Sequence, residues 1–537
     1  MITFEAKPYV KVGGLGEVPP NLAVELARRG LEAVVVMPLH GAAVEPVEKA
    51  SLKGRRILVA SWQGVKYLLL GGEHLSKPGV YDPELMPAKV VEFARVLKDL
   101  LEHCETLGLR RPDVLHFHDW HSVYSLLQAK LTLGELGERA ALVYHIHLLT
   151  MERVNESLLK EAGIDLSAEH TVTLGSKTLT VTVEEAVKMS KGLAERLGAL
   201  ESDVFVTVSE SYLRMDKGCV LEALGYDLEP KGAVIYNGTD WRYERVLEEA
   251  LSRHSARLGR AGKKPTRLEL RRYLLLEALG LMPEGEPRVP DSSLERLLKD
   301  LYAPPFLPDG RVEPFRSDGP LVIMTGRVAR QKGIDVLLDA IPLVLKRVGN
   351  AKFLFMLLPV WGGEEYFERL VETVRDYPDN VRVIFGIVPS VFKLAHVAAD
   401  VFAAPSRWEP FGIMALESMA SGTPVVASKV GGLREIVLDV RDHGASGTGL
   451  HVEPDDHYEL AWALIDMLLV MEASNTGDRR LIDKIGDEKL RSLASEDLLL
   501  GAKVRESCIR RVETEFTWEK AAYRALSVYS RALGARS

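Results

Sequence analysis

The sequence predicts an α/β protein built from two Rossmann-like halves with parallel sheets. Three observations carry this expectation. Short apolar runs alternate with stretches of helical periodicity through most of the 537 residues, the pattern of βαβ units. The alternation comes in two separate series, residues 1–240 and 319–515. Between them, 241–318 is charged and helical and then proline-rich, with Ala303-Pro304-Pro305 and Leu307-Pro308-Asp309-Gly310. No strand series survives there, so the segment reads as an insertion or linker. The length suffices for two large domains, each with its own core.

Taken in order, the first series opens on Met1–Phe4, room for only a short strand, so the N-terminus reads as clipped. Buried-strand candidates follow at Ala33–Met37, Ile57–Ala60, Tyr67–Leu70, Val114–His116, Leu142–Ile146, Val204–Val208 and Ala233–Tyr236, with helices such as Val18–Arg29 and Lys89–Leu107 between them. The second series gives strands at Leu321–Thr325, Lys352–Leu358, Val381–Phe385, Val401–Ala404 and Pro424–Ala427, and helices such as Val336–Lys346 and Tyr458–Met471. The closing segment 516–537 holds a helix from Trp518. There Trp518, Ala522, Ala525, Leu526 and Tyr529 recur at helical spacing, a stripe that must dock on something apolar.

Composition narrows the function. At 47% hydrophobic and 27% charged residues the chain is an ordinary globular protein. A net charge of −8 argues against a dedicated nucleic-acid binder, and the basic run Arg253–Arg272 reads as a solvated helical face. Cys104, Cys219 and Cys508 are sparse and lack metal-ligand spacing, which fits a reducing cytoplasm. There is neither a basic-then-apolar leader nor an apolar run long enough to span a bilayer. The expectation is a cytoplasmic protein. Three glutamines and six asparagines beside abundant Glu, Arg and Lys make a bias of the kind seen in proteins from hot environments.

Four constellations can carry chemistry. Lys11-Val12-Gly13-Gly14-Leu15-Gly16 enters a helix with Pro19 and Pro20 in its first turn. Glycines let a backbone approach a ligand, and a helix N-terminus favours an anion; an ordinary strand-to-helix turn has the same look. Gly326 to Gly333 follows a strand directly, placing Arg327 and Lys332 where open α/β sheets bind ligands. A guanidinium fork and an ammonium suit a diphosphate, although two loop cations can also be plain surface charge, as Arg330 is expected to be. Five histidines, His116, His118, His121, His145 and His147, end two strands. Alternation aims His145 and His147 to one face, but there is no H-E-x-x-H partner motif. They are expected to bond sugar hydroxyls or one another, without a metal.

The fourth is Ser406 to Glu435. Glu409 precedes a helix and Glu417 stands eight residues on. At 1.5 Å per residue the two would lie about 12 Å apart along a helix axis, too far for a carboxylate dyad but enough to span a sugar and a ribose. Gly431 and Gly432 then offer N–H groups at another helix start. A capping and surface role for the glutamates competes with this reading.

In this order the motifs resemble the glycogen and starch synthase family of GT-B retaining glycosyltransferases. Lys11-Val12-Gly13-Gly14-Leu15-Gly16-Glu17-Val18 is similar to its N-terminal signature, with Glu17 where aspartate is usual. His118-Asp119-Trp120-His121, Tyr236-Asn237-Gly238, Arg327 with Gln331-Lys332-Gly333, Pro405 to Gly412 and Phe516 to Ala521 follow. The resemblance implies a GT-B fold: two Rossmann-like domains facing each other across a deep cleft that closes over the donor, with the C-terminal helix crossing back to the N-domain.

It implies transfer of glucose, with retention, from ADP-glucose or UDP-glucose to the non-reducing end of an α-1,4-glucan, with no cofactor. It also implies roles. Lys11, Gly13 and Gly14 would meet the donor, Arg327 and Lys332 the departing diphosphate, Glu409 the glucose and Glu417 the ribose. Phe411, Gly412, Gly431 and Gly432 would line the donor pocket, with His147 near the reacting sugar and Asp119 on the acceptor side. Glu417, and Phe411 where many bacterial members carry cysteine, give an archaeal-like pattern. A sucrose-, trehalose- or lipid-linked glycosyltransferase is the nearest alternative, and a non-catalytic glucan-binding protein a more distant one. Oligomeric state is not readable from the sequence.

Overall fold

A computed structural model describes residues 1–43, 48–175, 177–258 and 264–534; of the basic run, 259–263 lies outside them. The chain forms two compact units, Met1–Gly238 with Trp518–Ser537, and Thr239–Thr517.

In unit 1 the strands are β1 (Val34–Pro38), β2 (Glu48–Leu52), β3 (Arg55–Trp62), β4 (Val65–Leu70), β5 (Val114–His118), β6 (Ala141–Ile146), β7 (Glu169–Leu174), β8 (Lys177–Thr182), β9 (Val204–Thr207) and β10 (Gly232–Val234). One ladder runs β10-β9-β6-β5 and another β1-β4-β3-β2. Ile2 joins them, bridging in parallel to Phe117 of β5 and Val36 of β1. The few residues before the first loop therefore do form a strand position, at the centre of the sheet.

The expectation of parallel pairing needs correction here. β3 pairs antiparallel with both β4 and β2, and β7 and β8 make a separate antiparallel hairpin. β3 and β2 are the last two strands on one side of the sheet, and the hairpin lies outside it. β2 and the hairpin were not read from the sequence because their faces are mostly solvated, Glu-Lys-Ala-Ser-Leu in β2 and a threonine-rich alternation in β7 and β8. Without an apolar stripe there is no strand signal.

The helix Trp518–Gly534 docks on this unit. Trp518, Ala522, Ala525 and Tyr529 share a core with Val18, Leu22 and Leu26 of the helix Val18–Arg28 and with Val143 and Val206 of β6 and β9, while Leu526 packs at its edge. The stripe read from the sequence is the buried one.

Unit 2 carries β11 (Leu321–Arg327), β12 (Lys352–Leu358), β13 (Val381–Phe385), β14 (Val401–Ala404), β15 (Val425–Ser428) and β16 (Gly449–Val452). The order is β13-β12-β11-β14-β15-β16, all parallel. This is a doubly wound sheet whose order reverses between β11 and β14, and ligands of such sheets bind beyond the carboxyl ends at the reversal.

The segment 241–318 falls in unit 2. Arg271, on the helix Arg267–Leu276, is 2% exposed and bonds three carboxylates, Asp318, Asp400 and Glu472. Asp400 also accepts from Arg505, Asn475 and the Leu321 amide at the head of β11. A buried cation needs such partners, so this network ties the segment to the central strand.

Candidate active site

In unit 2 the loops leaving β11 and β14 are bound to each other. Gln331 donates to the Trp408 carbonyl at 3.1 Å, and the Arg407 amide donates to Gln331. The Arg407 guanidinium forks onto Asp335 at 2.9 and 2.7 Å and reaches Asp455. Gly333 is left-handed at φ 61°, and a Cβ there would lie 1.9 Å from the Pro405 carbonyl oxygen. Glycine is thus required for the two loops to touch.

This framework sets Lys332 Nζ 2.5 Å from Glu409 Oε2, both side chains largely buried. Arg327 ends β11 exposed, its guanidinium 3.5 Å from Gln331 Oε1. Arg330 is exposed, as expected. Three of the expected residues, Arg327, Lys332 and Glu409, therefore gather at the strand-order reversal.

The rest of the cassette needs revision. The helix Ile413–Ala420 starts four residues after Glu409, so a 12 Å separation along one helix axis does not apply to Glu409 and Glu417. Glu417 is half-buried on that helix. Phe411 is 3% exposed with its ring against Phe516, so its side chain is part of the core. Gly432 spends its N–H on the Glu409 carbonyl at 3.0 Å, and a Cβ on Gly431 or Gly432 would lie 1.8 Å from the Glu409 carbonyl oxygen or 2.2 Å from that of Phe411. These glycines, with Gly412 at φ 107° beside Leu433, let the two loops pack. Close packing explains them without a phosphate.

In unit 1 the expected residues again sit at carboxyl ends of adjacent strands. Asp119 follows β5 at φ 58°, ψ 174°, a conformation costly for a non-glycine residue. Its Oδ1 accepts the N–H of His147 at 2.7 Å and of Leu148 at 3.3 Å. Burial pushes the Asp119 carboxyl up to about 7 despite those two bonds. The next residues are held as firmly: Leu149 donates to the Tyr212 hydroxyl, and Thr150 and Met151 to the buried Glu195. A rigid backbone thus presents His147, which shares a 2.9 Å hydrogen bond with His118.

The other histidines form a stack. His116 bonds the Tyr529 hydroxyl at 2.8 Å. Nitrogens of His116, His118 and His145 lie within 4.8 Å of one another, close enough to suggest a metal. Yet the rings of His116 and His118 stack at 4.3 Å and 25°, and those of His116 and His145 at 5.3 Å and 5°. Lone pairs lie in the ring plane, so stacked rings aim them side by side, not at the common point a tetrahedral site needs. Desolvation holds all three well below the ordinary histidine range, so they are neutral.

The glycine-rich loop is organised by acids. Lys11 and Lys7 each lie 2.5 Å from a different oxygen of Glu17. Burial raises the Glu17 pKa, but the two lysines outweigh it and the carboxyl titrates below its ordinary value. The Gly13 N–H is donated to Glu5, a buried acid that the sequence reading passed over.

Two family models match the chain: starch synthase catalytic domain over residues 1–224 and glycosyl transferases group 1 over 309–476. Together they take in most of it, in the order of the motifs. The chain belongs to the glycogen and starch synthase family of GT-B glycosyltransferases. Relatives of this family include glycogen synthase 2 of Geobacter sulfurreducens, 27% identical with 90% of this chain and 93% of the relative covered, and the glycogen synthase of Lactobacillus acidophilus, 24% identical with 88% and 92% covered.

Among solved structures, the catalytic domain of starch synthase IV from Arabidopsis thaliana, bound to ADP and acarbose, matches with a TM-score of 0.65 at 19% identity, covering 99% of this chain and 98% of that one. Sucrose-phosphate synthase from Thermosynechococcus elongatus matches at 0.53 and 19%, covering 100% and 98%. Both likenesses speak to the GT-B fold. The chain is a glycosyltransferase. No helix among the described residues is long and apolar enough to cross a membrane.

Proposed function

We propose that this glycosyltransferase is a glycogen synthase: it moves glucose, with retention, from ADP-glucose or UDP-glucose to the non-reducing end of an α-1,4-glucan. The observation that carries the reading is the Lys332–Glu409 pair at the reversal between β11 and β14, with Arg327 in the same loop. A nucleoside diphosphate leaves as an anion, so cations fixed where charge develops stabilise the transition state most. Lys332 and Arg327 are placed for that, and Glu409 can accept from glucose hydroxyls once a phosphate takes its place on Lys332. Lys11 is assigned the donor as well. The backbone around His147 is held by Asp119, Tyr212 and Glu195, as a rigid sugar-binding edge requires. Glu417 is assigned the ribose and Asp119 the acceptor side.

No resident cofactor or metal enters this scheme, because the leaving phosphate can take the acceptor's proton. A cytoplasmic setting suits three buried, unpaired cysteines; the amide-poor composition suits a warm habitat. Parallel incubation with labelled ADP-glucose and UDP-glucose tests the function, with glycogen, maltooligosaccharides and fructose as acceptors. Label in the glucans supports the reading, and its ratio names the nucleobase. Label on fructose alone would replace the reading with a sucrose-type transfer, an activity on the same fold.

A further inference from the structure

The Lys11–Gly16 loop is folded around a carboxylate. Glu5 lies three residues past the Ile2 strand position and is 1% exposed. Its Oε2 accepts a very short hydrogen bond from the Val12 amide and one of 3.0 Å from the Gly13 amide. Its Oε1 accepts the Tyr81 hydroxyl at 2.7 Å. A Cβ on Gly16 would come 3.0 Å from Oε2 and 3.0 Å from Lys11 Cγ. A side chain at position 16 would thus press on both Glu5 and Lys11, which would have to give by a few tenths of an ångström.

This changes how the loop meets a ligand. A glycine-rich turn binds phosphate through bare amides, but here the amides of Val12 and Gly13 already point at Glu5. With those two amides engaged, the Lys11 ammonium, half-exposed and resting on Glu17, is the cation this loop offers an arriving anion. The Val12 N–H belongs to the peptide that joins Lys11 to Val12. Holding it fixes the plane of that peptide and so the root from which the Lys11 side chain extends.

We propose that Glu5 is a positioning residue for donor binding, acting through Lys11; this rests on the glycogen synthase reading. Glu5→Gln keeps the size of the side chain and removes its charge. Tyr81→Phe removes the third hydrogen bond and leaves Glu5 intact, so it serves should the first variant fail to fold. The test combines steady-state kinetics for donor and glucan with hydrogen exchange of the peptide spanning residues 9–17.

In Glu5→Gln the KM for the nucleotide sugar is expected to rise about tenfold while that for glucan stays within twofold. Loop exchange is expected to quicken about tenfold while the rest of unit 1 keeps its protection. Tyr81→Phe is expected to move the same two quantities by a smaller factor. Faster exchange with an unchanged donor KM, or equal changes in both KM values, overturns the proposal, because a merely structural residue does that. Transfer by the wild type with unchanged kinetics in both variants sinks the role of Glu5 alone. No transfer by the wild type sinks the functional reading and this proposal together.

Discussion

Lys332 Nζ lies 2.5 Å from Glu409 Oε2, and the two residues come from loops after neighbouring strands that diverge in the sheet order. Each partner is the other's counter-charge in a largely buried place. A phosphate must therefore compete with Glu409 for Lys332, and a sugar hydroxyl must compete with Lys332 for Glu409. Under the proposed function, donor binding would exchange one ion pair for another, which would keep the desolvation cost low.

Lys332→Ala is expected to lower transfer at least about 100-fold, the usual cost of losing one preorganised charge partner. Glu409→Gln is expected to do the same. Because the residues share one interaction, the double variant should be far less impaired than the product of the single effects. Turnover assays beside thermal melts check this, and near-normal turnover of folded Lys332→Ala would refute the assignment.

Acid should destabilise unit 1 earlier than carboxylates alone would. Burial pushes His40 to about 4 and His121 to about 3, and holds His116, His118 and His145 well below the ordinary range. The unfolded chain takes up these protons near 6.5 whereas the folded one does not. Stability is thus full above about 6.5 and is lost as pH falls toward 3, by up to about 1.4 kcal/mol per histidine per pH unit. Urea midpoints should hold from pH 8 to about 6.5 and fall steadily below that to pH 5; a flat profile would show that these histidines are solvated.

Asp119 carries the opposite sign. Its folded pKa is raised to about 7 by burial. Its contribution is complete below the unfolded value near 4 and is lost as pH rises through 7. Asp119→Asn still offers an oxygen to the His147 and Leu148 amides without a charge to bury. Relative to the wild type, the variant should gain stability from pH 5 to pH 8, read from paired urea titrations. A constant difference across that range would mean that Asp119 does not titrate there.

Much of this was legible in the residues, and the exceptions share a cause. Strands buried on both faces, such as Lys352–Leu358 and Val401–Ala404, show as mostly apolar runs. β2, the β7–β8 hairpin and the four-residue β16, interrupted by His451, carry no such run and were missed. The cations and Glu409 were readable because strand ends and loop chemistry mark them. Glycines were harder to read. Gly431 and Gly432 look like phosphate ligands in a sequence, yet the backbone of Glu409–Phe411 passing within 2.2 Å of their absent Cβ atoms explains them. Glu5 was invisible because nothing in a sequence shows which acid turns inward to bind amides seven and eight positions ahead.

The segment 241–318 gives the last expectation. Arg271 bonds Asp318, Asp400 and Glu472, and Asp400 in turn receives Arg505 and the amide that begins β11. Arg271→Leu would leave three carboxylates with Arg505 as their one bonded guanidinium among the described residues, so a loss of about 3–5 kcal/mol is expected. Asp318→Asn, at the exposed rim of the same network, should cost under about 1 kcal/mol. Chemical unfolding of both variants measures the contrast. Comparable small losses would mean that the network contributes little and that the segment is held by its apolar contacts instead, among them Leu270, Leu274 and Leu275, each at most 1% exposed.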